Sequence, residues 1–214
     1  MKRLWLSVLF VAFGLFASAQ TPLSEAQSNE IIASLTETAS SMQTMQCRFV
    51  QSKTMAMLAE PSVAEGKMYF ASPDRLRWEY VKPYAFALVV NGERIVKVTD
   101  GQAEVLDGNS GRMYQGITSM IMGSASGKKL FDTTTFDIVL YDDSTCWKAE
   151  MTPKRRDMKR MFSQLVFHFD KKTQIIDHVE FIGSDGDVTL IRFEEVRVNE
   201  AIGENLFNDQ IKQR

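Results

Sequence analysis

The sequence predicts a mainly β chain of the α+β class: an N-terminal helix, about ten or eleven meandering antiparallel strands and a short helix inserted midway. Three observations carry this. Apolar residues recur every three or four positions between about residues 24 and 44. From Phe49 onward the period is two almost everywhere, punctuated by Pro, Gly and Asn/Asp-Gly turns. No long helical pattern separates successive strands, so neighbours pair antiparallel rather than through βαβ crossovers.

In chain order, Met1-Lys2-Arg3 is a short positive segment, Leu4 to Phe16 an apolar run, and Ala17-Ser18-Ala19 a small-x-small cleavage pattern. Residues 1–19 therefore read as a cleaved signal peptide, and 20–214 as a single domain in the periplasm. The apolar run is shorter than the ~20 residues a spanning helix needs. No Cys follows the small residues, so the mature chain is expected not to be lipidated. Thr21-Pro22 opens the mature region, and Ser24 with Gln27 has capping-box spacing. Ile31, Ile32, Leu35, Ala39, Met42 and Met45 then form one helical face.

Phe49 starts a strand that runs toward Met57; Gly66 opens another, with Met68 and Phe70 on one face. Leu76, Trp78 and Tyr80 alternate strictly with Arg75, Arg77 and Glu79. Pro83 turns the chain into an apolar stretch ending at Asn91-Gly92, a two-residue hairpin signal answered by Ile95, Val96 and Val98. Asp100-Gly101 turns again, and 102–114 reads as polar and turn-rich. Met120-Ile121-Met122 centres a short helix between glycines. Strands resume at Phe136, Trp147, Phe162, Ile175 and Val188. There is no internal repeat or linker, hence one domain.

Composition narrows function by exclusion. The signal carries two of the 25 basic residues and no acidic ones, so 23 basic residues face 27 acidic ones and the mature charge is −4. Nothing in that balance points to nucleic acid. The two histidines, His168 and His178, lie in strands without a nucleophile beside them and read as decorating the sheet. Gly123-Ser124-Ala125-Ser126-Gly127 has Ala where a nucleophile elbow needs its Ser. No HExxH, CxxC, calcium-loop or phosphate-loop pattern occurs. The reading is no enzyme, no cofactor and no metal. Cys47 and Cys146 are read as free thiols, although spacing alone leaves a disulfide open. What the chain has in excess is soft apolar surface: 14 Phe, 12 Met and 3 Trp. Either this is an ordinary core, or a large sheet covered by one helix leaves a concave face for variable apolar ligands, which flexible Met side chains suit.

Motif order carries a resemblance. Phe49-Val50-Gln51 with Lys53, the Gly66-led strand, Pro73-Asp74-Arg75-Leu76-Arg77-Trp78-Glu79-Tyr80, Pro83 to Gly92, Met151-Thr152-Pro153-Lys154, and Val198-Asn199 through Phe207 follow one another as in the periplasmic lipoprotein carrier family, LolA. Asp185-Gly186-Asp187-Val188-Thr189 resembles a further hairpin of that family loosely. The resemblance spans nearly all of the mature chain. It implies an unclosed antiparallel β-barrel, or half-barrel, whose concave apolar face is lidded by helices. It implies a monomeric carrier that takes lipoproteins, held by their acyl chains, from an inner-membrane ABC transporter to an outer-membrane acceptor. A carrier of the same fold for another envelope lipid, a glycolipid or polyene, is the alternative.

Strand parity and the resemblance together assign Phe49, Met68, Phe70, Leu76, Trp78, Phe86, Leu88, Trp147 and Phe167 to the cavity, with Met120 and Ile121 on the lid. Some family members latch the lid with an Arg immediately before the first proline of the Trp-bearing strand. Here that residue is Ser72, leaving Arg75 or Arg77 as substitutes. Lys154, Arg155, Arg156, Lys159 and Arg160 form a basic loop that is either a solvated edge or a docking surface for an acidic partner or anionic headgroups.

Overall fold

The computed structural model describes residues 21–55, 57–58, 60–106 and 130–208. The signal segment 1–19 and the short helix around Met120 lie outside the described residues. Helix α1 (Glu25–Ser41) begins on the capping box the sequence predicts: the Gln27 amide donates to Ser24 Oγ, and the Ser24 amide donates to Gln27 Oε1. Eleven strands follow: β1 (Thr44–Thr54), β2 (Ser62–Ala71), β3 (Arg75–Lys82), β4 (Phe86–Asn91), β5 (Arg94–Thr99), β6 (Gln102–Val105), β7 (Phe136–Asp142), β8 (Cys146–Pro153), β9 (Phe162–Asp170), β10 (Ile176–Gly183) and β11 (Val188–Val198). A one-turn helix α2 (Arg156–Lys159) joins β8 to β9, and a 3₁₀ turn (Glu204–Phe207) ends the described chain.

All eleven strands belong to one antiparallel sheet in the order β6-β5-β4-β3-β2-β1-β11-β10-β9-β8-β7. Neighbours are consecutive in sequence except at the centre, where the first strand pairs with the last. Among the described residues β6 and β7 are the edges, and the sheet they bound is not closed. The β7 edge is partly covered: the Leu23 amide donates to Leu140 O at 2.8 Å, and Pro22 bridges Tyr141.

Curvature comes from register shifts. Between Gln46 and Arg48 the partner strand β11 carries an extra residue, and Glu195 there takes φ +53°. Further shifts lie between Glu65 and Gly66 on β2 and at both ends of β10. Each bends its strand and increases local twist, curling the sheet around an apolar inner face. That face forms a continuous core running from Leu88 and Ile95 through Phe49 to Phe136 and Leu140.

Several expectations shift. α1 stops at Ser41 rather than near 44, and β1 starts at Thr44 rather than Phe49, so Met45 is a strand residue. Gln102–Val105, read as turn, is the edge strand β6; all four residues are exposed and leave no apolar alternation to read. Asn91 pairs with Arg94, so the hairpin turn is Gly92-Glu93 with Gly92 at φ +61°, one residue later than the Asn91-Gly92 pair suggests. The basic segment is part helix, α2.

Gly66 is the tightest point of the sheet. It faces Phe49 in register, and the Phe49 ring lies directly over it. A Cβ at Gly66 would stand 2.1 Å from Phe49 Cζ and 2.3 Å from the Glu79 carbonyl oxygen. Neither neighbour can yield without breaking ring packing or the β2–β3 ladder. Gly66→Ala is expected to destabilise the fold by about 3 kcal/mol by overpacking, read from urea denaturation. Gly101→Ala, where space is open but φ is +82°, is expected to cost only about 1 kcal/mol.

Candidate functional site

The inner face is built by parity. On β3, Leu76, Trp78 and Tyr80 point inward while Arg75, Arg77 and Glu79 point out. The same alternation places Phe49 on β1, Met68 and Phe70 on β2, Leu88 on β4 and Phe167 on β9 in one buried cluster, with Phe86 and Trp147 packed half-buried against it. The structure thus brings all nine sequence-assigned cavity residues to one surface. Its centre is aromatic: Phe49 stacks on Trp78 at 4.2 Å, meets Tyr80 edge-on at 5.2 Å, and Phe193 meets Trp78 edge-on at 6.3 Å. Tyr80 continues the row to Phe86 at 5.9 Å and donates its hydroxyl to Gln51 Oε1.

α1 covers part of this face through Leu35 and Ala39, with Met42 at its C-cap. Beneath it lies a cavity of ≈ 30 Å³, lined with Met45, Met68, Phe169, Ile175 and Phe193. That is room for a water or two. The helix is pinned from the far side by Gln174, at the β9–β10 turn: Ser34 Oγ and Thr38 Oγ1 both donate to its Oε1, at 3.0 and 2.6 Å. Gln174, Phe169 and Phe193 are absent from the sequence-derived set. Phe169 shares parity with Phe167 and is readable from the sequence; the Gln174 clamp joins residues 136 and 140 apart and leaves no local signal.

Other candidates fall differently. Met120 and Ile121 lie outside the described residues. Arg75 and Arg77, the substitutes for a lid latch, turn away from the concavity. Arg75 pairs with Glu204 and lies over the Phe207 ring, and Arg77 pairs with Glu79. Of the basic group, Lys154 reaches Asp137 at 3.0 Å and Arg155 pairs with Asp157 at 2.6 Å. Arg156, Lys159 and Arg160 make no ion pair among the described residues. Cys47 and Cys146 are free, on strands four steps apart across the sheet, roughly 19 Å at the usual strand spacing. Burial pushes the Cys47 thiol up to about 12, so it behaves as a core side chain.

Residues 40–210 match the family described as outer membrane lipoprotein carrier protein LolA. The chain belongs to the LolA family. An outer-membrane lipoprotein carrier protein from Methylobacillus flagellatus is 28% identical over 164 residues, covering 76% of each chain. Among solved structures, an uncharacterized conserved protein from Thermus thermophilus superposes with TM-score 0.54 at 12% identity, covering 85% of this chain and 93% of its own; this likeness shows the fold. A LolA superfamily protein from Nitrosomonas europaea gives TM-score 0.47 at 9% identity, over 86% of this chain and 98% of its own.

The Gln174 clamp can be tested without straining the turn. Gln174 has φ +59°, which Asn tolerates, and Asn is one methylene too short to hold both hydroxyls. Gln174→Asn is expected to speed hydrogen exchange of the α1 amides about ten-fold, the loss of one to two hydrogen bonds. Exchange in β1 and β9 should be unchanged.

Proposed function

We propose that this LolA-family chain is a periplasmic carrier that shelters the acyl chains of lipoproteins on its inner face. On this reading it takes them from an inner-membrane ABC transporter and yields them to an outer-membrane acceptor. The observation that carries the proposal is the continuous apolar face of an unclosed sheet, aromatic at its centre and covered by a helix pinned at a polar clamp. Each CH₂ of an acyl chain is worth ~0.8 kcal/mol, so one chain in water costs on the order of 10 kcal/mol. A lipoprotein therefore needs an escort to cross an aqueous compartment.

The cavity under α1, at ≈ 30 Å³, is too small for an acyl chain, so on this reading chains enter there as α1 lifts. The lifted helix exposes Leu35, Ala39 and Met42 toward the same face, so cargo replaces contacts the helix makes when the carrier is empty. Exchange of apolar contact for apolar contact keeps binding loose enough for release. No helix among the described residues is long and apolar enough to cross a membrane. The carriers of this family are non-enzymatic, and the apolar lining agrees with holding rather than transforming a ligand.

Native mass spectrometry of the chain purified from periplasm without detergent is expected to show a one-to-one complex with an acylated lipoprotein. A bound glycolipid or polyene would keep the cavity and change the cargo. Trp78→Glu, which sets a carboxylate at the centre of the aromatic row, is expected to abolish lipid uptake while far-UV circular dichroism stays native. Undiminished uptake by that variant would remove the inner face as the binding surface.

Arg156, Lys159 and Arg160, which make no ion pair among the described residues, form the second part of the proposal, a docking patch for an acidic acceptor or anionic headgroups. Reversing all three to Glu is expected to slow transfer to acceptor membranes several-fold, more so at low salt. Acyl-chain binding by the same variant should equal that of the parent; equal transfer would make the patch a solvated edge.

A further inference from the structure

The outer face carries a constellation that the carrier reading does not use. The two histidines of the chain, His168 on β9 and His178 on β10, are register partners across the β9–β10 ladder. Their rings stack at 3.9 Å with an interplanar angle of 15°. Glu180 stands two residues along β10 on the same face, and its Oε1 lies 3.2 Å from His168 Nε2. One donor atom from each of His168, His178 and Glu180 lies within 4.8 Å of the other two.

We infer that His168, His178 and Glu180 form a surface binding site for a divalent transition-metal ion of the Zn²⁺ type. Four-coordinate Zn²⁺ with bonds of about 2.0–2.1 Å sets its ligand atoms about 3.3 Å apart. The His168–Glu180 separation of 3.2 Å already matches one edge of that tetrahedron. Two imidazoles and a carboxylate are a donor set that Zn²⁺ accepts, with water completing the shell. Bringing the His178 nitrogen to the same distance needs a splaying of the stacked rings, whose side chains keep 12% and 17% of their surface exposed on the outer face.

The outer partners are also in place. His178 Nδ1 is held by Asp177 Oδ2 at 2.6 Å, leaving Nε2 as its free ring nitrogen. His168 Nδ1 lies 3.7 Å from Cys146 Sγ on β8, leaving Nε2 on the Glu180 side. A carboxylate behind one metal-ligating imidazole and a polar group behind the other fix tautomer and ring orientation. When the ion binds, His168 Nε2 loses its proton and Nδ1 carries one toward Cys146 Sγ; the ring stays neutral. The surrounding charge is mixed. Lys148 on β8 is taken by Glu150 at 2.9 Å, and Arg192 on β11 stands opposite His178. The carboxylates of Glu180 and Asp177 offset both cations.

The test is a Co²⁺ titration of the tag-free mature chain, read by visible absorption, with Zn²⁺ displacement followed by calorimetry. One equivalent of Co²⁺ with the intense bands of a tetrahedral site, displaced by Zn²⁺ and lost in His168→Gln and His178→Gln, is the result expected. Asp177→Asn, a change in an exposed side chain behind the ligand, should weaken Zn²⁺ about ten-fold. Absence of Co²⁺ bands at millimolar metal would overturn the site. So would histidine variants with native circular dichroism and unaltered Zn²⁺ affinity. If the histidine variants fail to fold, the Asp177→Asn result decides alone: unchanged affinity overturns the proposal. Because these side chains project from the face opposite the apolar cluster, lipid uptake is read separately and is expected to be the same in every variant.

Discussion

The pairing of β1 with β11 is the constraint on which the rest of the molecule depends. Every other strand contact is a hairpin between sequence neighbours, but this ladder joins residues as far apart as Met45 and Val198. It unites a six-stranded arm, β1–β6, with a five-stranded arm, β7–β11, into one curved surface. Closing so long a loop is entropically unfavourable. The two strands offset that with eleven residues each, the longest in the sheet, and with the Phe49–Phe193 cross-strand pair at their middle. The bulge at Glu195 sits within this ladder, so the bend between the arms is made where they join.

Rigidity and compliance are distributed unevenly around that seam. On one side, Phe49 is locked between Gly66 and Trp78, and any added atom at Gly66 collides with both ring and backbone. On the other, α1 is held by two buried side chains, by Met42 at its C-cap and by two hydroxyl hydrogen bonds to one glutamine. The tightest packing therefore lies in the sheet, and the cover over it rests on fewer contacts. An apolar surface that stays shaped while its cover lifts is what a carrier of variable acyl chains requires.

Legibility in the sequence follows the physics of each element. Strict alternation in β3 defines the inward set because a one-residue slip would bury Arg75, Arg77 and Glu79. The helix–strand boundary is blurred because Ala39, Met42 and Met45 satisfy a three-to-four spacing, although Met45 also begins the period-two series Met45, Cys47, Phe49. β6 is invisible because an edge strand exposed at every residue needs no apolar pattern. The histidine pair reads as ornament because its meaning lies in the β9–β10 register, where a shift at Asp177 sets His178 opposite His168. Gln174 escapes for a similar reason: its role depends on where a helix 136 residues earlier comes to rest.

A single sheet used on both faces separates two kinds of chemistry. Period two places Phe167 and Phe169 inside and His168 outside within three consecutive residues of β9. Along the lining of the cavity under α1, Gln174 is the one side chain able to hydrogen-bond among the described residues, and its oxygen is already occupied by two hydroxyls. Such a lining supplies no base, nucleophile or cation to act on a bound molecule; it discriminates by apolar area and shape alone. His168, His178, Glu180 and Cys146 lie across the sheet from it.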